Sequence, residues 1–135
     1  MSVPTAVKDY MSRPVVTVNP EMEILEAMKV LLERRVSGVP VLDKLGNLVG
    51  MLSEKDCISV ALEAGYHGHG GGPVAGHMHP GVETVDADAS IFDVASRFLR
   101  QEYRRYPVVK GNRLVGQISR RDVLRALTIL SMEQP

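Results

Sequence analysis

The chain has 135 residues, 44% of them hydrophobic and 24% charged, and its 16 basic and 16 acidic side chains cancel to a formal net charge of zero. A neutral chain has no global field to draw in nucleic acid or an acidic membrane, so neither is expected as a partner. Trp is absent and Cys57 is the one cysteine, which requires an aliphatic core and excludes an internal disulfide or a thiolate metal cluster. No apolar run approaches the ~18 residues of a membrane span and no basic, then apolar leader opens the sequence, so a cytoplasmic protein is expected.

Residues 1–6 read as an N-terminal extension. The first structured stretch, 7–64, starts with an extended segment at Val15–Val18. Asn19-Pro20 then predicts the opening of a helix over Glu21–Arg35, with Asn as N-cap and Pro at the first helical position. Along that helix Ile24, Leu25, Met28, Leu31 and Leu32 form one apolar stripe. Val39–Leu42 and Leu48–Leu52, separated by a Gly46-Asn47 turn, predict a hairpin. A second helix begins at Ser53 and carries Ile58, Ala61 and Leu62 on one face. Residues 65–73 are too rich in glycine for a helix or strand and read as a Gly/His-rich loop. The pattern then restarts over 74–130, with an extended Val82–Val85 and a helix capped by Ser90, with Asp93 three residues on. Residues 131–135 form a tail.

The second stretch repeats the first. Met11 falls on Met78, Thr17-Val18 on Thr84-Val85, Ile24 on Ile91 and Pro40-Val41 on Pro107-Val108, all at one offset. One residue is lost in the hairpin turn. Beyond it Leu48-Val49-Gly50 matches Leu114-Val115-Gly116, Ser53 matches Ser119 and Asp56 matches Asp122. Each repeat therefore reads β-α-β-β-α. The hairpin strands are too apolar to face water, and neither repeat can bury them alone. The expected fold is α+β, with two pseudo-symmetric repeats packed sheet against sheet.

The segments Val36-Ser37-Gly38-Val39-Pro40-Val41-Leu42-Asp43 and Leu48-Val49-Gly50-Met51-Leu52-Ser53-Glu54-Lys55-Asp56 resemble the motif of cystathionine-beta-synthase (CBS) domains. The second copy, Arg104-Arg105-Tyr106-Pro107-Val108-Val109 and Leu114 to Asp122, is similar. The resemblance covers about residues 7 to 130. It implies a stand-alone, Bateman-type CBS pair: a regulatory module that binds AMP, ADP or ATP in clefts between its repeats, forms a homodimer and acts on an unknown regulated protein. It implies no catalytic cofactor.

Two physical readings of Ser-x-x-Asp stay open. Ser53 and Ser119 begin helices, whose free N–H groups and partial positive charge suit a phosphate. Asp56 and Asp122, one turn in, can accept hydrogen bonds from the two ribose hydroxyls, the role the resemblance assigns them. The same tetrapeptide is also a capping arrangement. By resemblance, Thr17, Val18 and Asn19 with Ser37, Gly38, Val39 and Pro40 form an adenine slot in the first repeat. Thr84, Val85 and Asp86 with Arg104, Arg105, Tyr106 and Pro107 hold the matching places in the second. The resemblance points Arg104 and Arg105 at the phosphates of a nucleotide held by the other repeat; the alternative is a solvated helix end. Arg120 and Arg121 are further phosphate candidates.

His67, His69, His77 and His79 invite a metal reading, but a Gly/His loop is more often merely solvated, and no metal site is assigned. Cys57 reads as a packed helix residue. No glycine-rich phosphate loop with a Lys, nucleophile elbow or paired carboxylate set is present, so no enzyme is expected. The alternatives are a structural dimerisation module with vacant clefts, and a module for another adenosine ligand such as NAD or S-adenosylmethionine.

Overall fold

The computed structural model describes residues 3–67 and 71–132. Its first body holds helix α1 (Ile24–Arg34), strands β1 (Gly38–Leu42) and β2 (Leu48–Ser53), and helix α2 (Glu54–His67). The second holds β3 (Val85–Asp86), α3 (Ile91–Arg100), β4 (Arg105–Lys110), β5 (Arg113–Ser119) and α4 (Arg120–Met132). In both, an antiparallel hairpin carries a register shift, at Val41/Leu42 and at Val108/Val109. β3 adds to β4 in parallel, whereas its counterpart in the first body is reduced to a single parallel pairing of Val18 with Val41. The fold is α+β with two pseudo-symmetric β-α-β-β-α repeats.

Local chemistry accounts for these elements and corrects three expectations. Helix α1 starts at Ile24 rather than Glu21, because Asn19 and Pro20 form a turn ahead of it. Asn19 Oδ1 accepts the Glu21 N–H at 3.1 Å, and extended Glu23 is the N-cap. An Asx turn thus takes the place of a helix cap. The helix ends at Arg35, a left-handed residue with φ 55°, whose N–H reaches the Leu31 and Leu32 carbonyls. On α2 the buried residues are Cys57 and Val60, while Ile58 and Leu62 of the expected inner face are exposed. Ser90 caps α3 as expected, accepting the Phe92 N–H at 3.1 Å. Helix α2 also runs to His67, into the stretch expected to be loop; residues 68–70 lie outside the described residues.

The compact units are Val16–Val82, and Met1–Val15 together with Glu83–Pro135. They are cut differently from the sequence repeats, because each repeat lends its opening segment to the body of the other. Val74 of the second repeat lies fully buried with Val18, Ile24, Val39 and Leu52 of the first. Its N–H bonds to the Met22 carbonyl, and that of Ala75 to the Pro20 carbonyl, both at 2.9 Å. In the other unit Val7 is buried with Ile91, Val94, Tyr106 and Ile118. Val7 and Lys8 donate to the Ala89 and Ala87 carbonyls at the same distance. Burying each valine contributes roughly 1.5–3 kcal/mol to holding its segment down.

Candidate functional site

In the unit Val16–Val82 the three predicted stretches come together through main-chain bonds. The Val18 N–H donates to the Pro40 carbonyl at 3.1 Å, and the Glu54 N–H to the Ser37 carbonyl at 2.9 Å. Val18, Val39 and Pro40 are buried, Thr17 and Gly38 half-buried, and Asn19 and Ser37 exposed. Ser53 closes β2 and caps α2: its Oγ accepts the Asp56 N–H at 3.2 Å. Asp56 Oδ2 in return accepts the Ser53 N–H at 2.9 Å and its hydroxyl at 2.8 Å. This reciprocal pair is a capping box. The other oxygen, Oδ1, accepts from His79 Nε2 at 2.6 Å. The Asp56 side chain is 12% exposed and that of His79 71%. Burial pushes the Asp56 carboxyl up, but the Ser53 donors and His79 outweigh it and hold the group below the usual carboxylate range.

The second unit repeats the frame with different chemistry around the carboxylate. The Arg120 N–H donates to the Arg104 carbonyl at 3.1 Å, as Glu54 does to Ser37. Ser119 and Asp122 form the same box, at 3.0 and 3.1 Å. The Ser12 hydroxyl lies 3.3 Å from both Asp122 oxygens, and Arg125 donates to Oδ1 at 2.8 Å. Asp122 is 4% exposed. The capping reading therefore holds at both helix starts, and each carboxylate has further partners that the sequence pattern did not assign to it: His79 for Asp56, and Ser12 and Arg125 for Asp122. His79 and Ser12 share one repeat position, each following the matched methionines Met78 and Met11.

The remaining predicted residues divide by exposure. Arg104, Arg105, Arg121 and Asp86 are exposed, with Asp86 Oδ1 accepting the Asp88 N–H at 2.8 Å. Arg120 turns back to the Tyr103 carbonyl at 3.1 Å. Thr84 offers its carbonyl to Arg97 at 2.8 Å, while Val85 and Pro107 are buried. Tyr106 is fully buried. Its hydroxyl donates to Gln101 Oε1 at 2.6 Å, its ring meets Phe98, and the Arg97 guanidinium stands 4.5 Å over it. A core anchor of this kind leaves its main chain as the part of Tyr106 open to a ligand. His77 Nε2 bonds to the Gly71 carbonyl. Among the described residues no cluster of three or more His, Cys, Asp or Glu is placed to hold a metal ion; the side chains of His67 and His69 lie outside them.

Two repeated α+β bodies, each with a Ser-x-x-Asp helix start beside an apolar hairpin, define a paired module. The chain belongs to the CBS domain family, whose model matches residues 7–63 and 74–129. The CBS domain-containing protein YhcV of Bacillus subtilis is 32% identical over 120 residues, 88% of this chain and 83% of that protein. The A-adding tRNA nucleotidyltransferase of Geobacter sulfurreducens is 35% identical over 117 residues; the match takes in 87% of this chain but 13% of that protein. Among solved structures, CBSX2 in complex with AMP superposes with a TM-score of 0.79 at 28% identity, over 95% of this chain and 99% of that one. CBSX2 is from Arabidopsis thaliana. The CBS domain pair of protein MJ0100, in complex with 5'-methylthioadenosine and S-adenosyl-L-methionine, superposes with a TM-score of 0.70 at 27% identity, over 93% of this chain and 98% of that one. No described helix is long and apolar enough to cross a membrane.

Proposed function

We propose that this chain is a cytoplasmic, non-enzymatic CBS pair that senses an adenine nucleotide of the AMP, ADP or ATP type and passes the signal to a partner protein. The observation that carries this reading is Asp56. Its carboxylate is ionised, only partly exposed and fixed by Ser53 at a helix start, beside the apolar main-chain frame of Val18 and Pro40. A carboxylate held so is suited to a vicinal diol. The exposed guanidinium groups of Arg104, Arg105 and Arg121 are assigned to phosphate. The likeness to proteins solved with AMP and with S-adenosyl-L-methionine supports an adenosine ligand. Calorimetric titration with AMP, ATP, S-adenosylmethionine, NAD and GMP tests it. An adenosine ligand that binds while GMP binds more weakly supports the reading, and no binding of any adenosine compound at millimolar concentration overturns it.

A homodimer is part of the same proposal. Leu32 and Ile58 are 75% and 61% exposed beside a groove between α1 and α2, and Leu99 and Leu124 are 90% and 67% exposed beside the matching groove between α3 and α4. Large apolar surfaces of this kind, repeated in both units, suit a symmetric second copy.

One observation favours a structural module with vacant clefts instead: both aspartates already have internal partners. The titration separates the two readings.

A further inference from the structure

We propose that His79 is a displaceable internal occupant of Asp56, which a ribose must push aside to bind. The inference rests on the adenosine reading above and adds the residue that sets affinity there. A carboxylate offers about four acceptor positions, two on each oxygen. Oδ2 of Asp56 spends both of its own on the Ser53 N–H and hydroxyl. Oδ1 accepts from His79 at 2.6 Å and has one position left. One ribose hydroxyl can be taken beside the imidazole; the full diol grip needs the place that His79 holds.

The way His79 is mounted makes its side chain, and not its backbone, the moving part. Its N–H and carbonyl are both bonded to Met51 at 2.9 Å. Gly50 lets the segment lie close, since a Cβ there would stand 2.7 Å from Met78 Sδ and 3.0 Å from the His79 carbonyl. The side chain is 71% exposed, so swinging it into water breaks the Asp56 contact and uncovers little further surface. The second unit lacks this device. Ser12 holds the corresponding place, and Arg125 reaches Asp122 Oδ1 from the next turn of the same helix. Asp122 is closed by a ring of bonds, whereas Asp56 is closed by one exposed imidazole.

The contact is charge-assisted when the imidazole is protonated. Other charges on the elements packed against the pair are few. β1 and β2 carry none. The first turn of α2 adds Glu54 and Lys55, both exposed, and the segment of His79 adds His77, which is bonded to the Gly71 carbonyl.

The test is calorimetry with adenosine on the full chain. His79→Ala, or His79→Ser to match the residue at Ser12, should bind adenosine about two- to fivefold more tightly near pH 6, the range expected for removing a partly exposed ion pair. His77→Ala should leave adenosine affinity near the wild-type value. Equal or weaker binding by both His79 variants overturns the proposal. Binding by the variants alone supports it. Binding by neither the wild type nor the variants would sink the adenosine reading as well.

Discussion

Met11 lies directly over the backbone of Gly116: a Cβ at position 116 would stand 2.5 Å from Met11 Sδ and 3.1 Å from the Ser12 carbonyl. Met78 over Gly50 is the same relationship in the other unit. A side chain here displaces the Met11 thioether and crowds a carbonyl whose residue is paired to Gln117 at 2.8 and 3.0 Å, so the segment must give by a few tenths of an ångström. Gly116→Ala and Gly50→Ala should each cost about 1–3 kcal/mol, the usual range for overpacking. Chemical denaturation of the two variants measures this.

Asp56 and Asp122 should separate function from stability. Asp122→Asn puts an amide N–H₂ among the donors of Ser119, Ser12 and Arg125, in a site only 4% exposed. It should lose about 1–3 kcal/mol of stability through unsatisfied donors. Asp56→Asn, beside solvent, should destabilise less and weaken adenosine more. Melting and titration of both variants check the ordering.

The depressed Asp56 carboxyl predicts an acid limb. A group whose folded pKa lies below its unfolded value adds stability that is fully present above the unfolded value, about 3.9, and is lost as pH falls through the folded one. The stability difference between wild type and Asp56→Asn should therefore shrink below about pH 4. Denaturation midpoints against pH measure it.

Tyr106→Phe should cost about 1 kcal/mol by leaving Gln101 Oε1 without its donor, and Tyr106→Ala about 3–5 kcal/mol through the lost ring. Adenosine affinity of the folded Tyr106→Phe protein should stay near wild type, because the side chain faces the core.

Leu99→Asp combined with Leu124→Glu should leave the fold intact and abolish self-association, since both side chains are largely exposed in the single chain. Light scattering that finds a wild-type monomer at micromolar concentration would remove the dimer from the proposal.

Much of this was written locally. The doubled pattern, the hairpins with their short turns, and Ser53, Ser90 and Ser119 as caps are properties of neighbouring residues, and composition and spacing suffice to read them. Two local readings failed, one to a competing bond and one to tertiary packing. Asn19 spends its side chain on a turn before α1. The inward face of α2 runs through Cys57 and Val60, one position before each of Ile58 and Ala61 on the face expected from the sequence. The partnership of Asp56 was not legible: His79 comes 23 residues later, on a segment that belongs to the other repeat.

By itself the sequence determined that there are two copies of one β-α-β-β-α unit, the order of their strands and helices, and which carboxylates stand at the helix starts. Only the tertiary structure decided which opening segment docks on which body. Each segment carries the same valine and methionine, and each body presents equivalent carbonyls, at Pro20 and Met22 or at Ala87 and Ala89. Hydrophobic pattern specifies that such a segment must be buried but cannot distinguish two matching places to bury it. That choice, made by long-range packing and main-chain pairing, is what brings His79 to Asp56 and Ser12 to Asp122, and makes two similar halves chemically unequal.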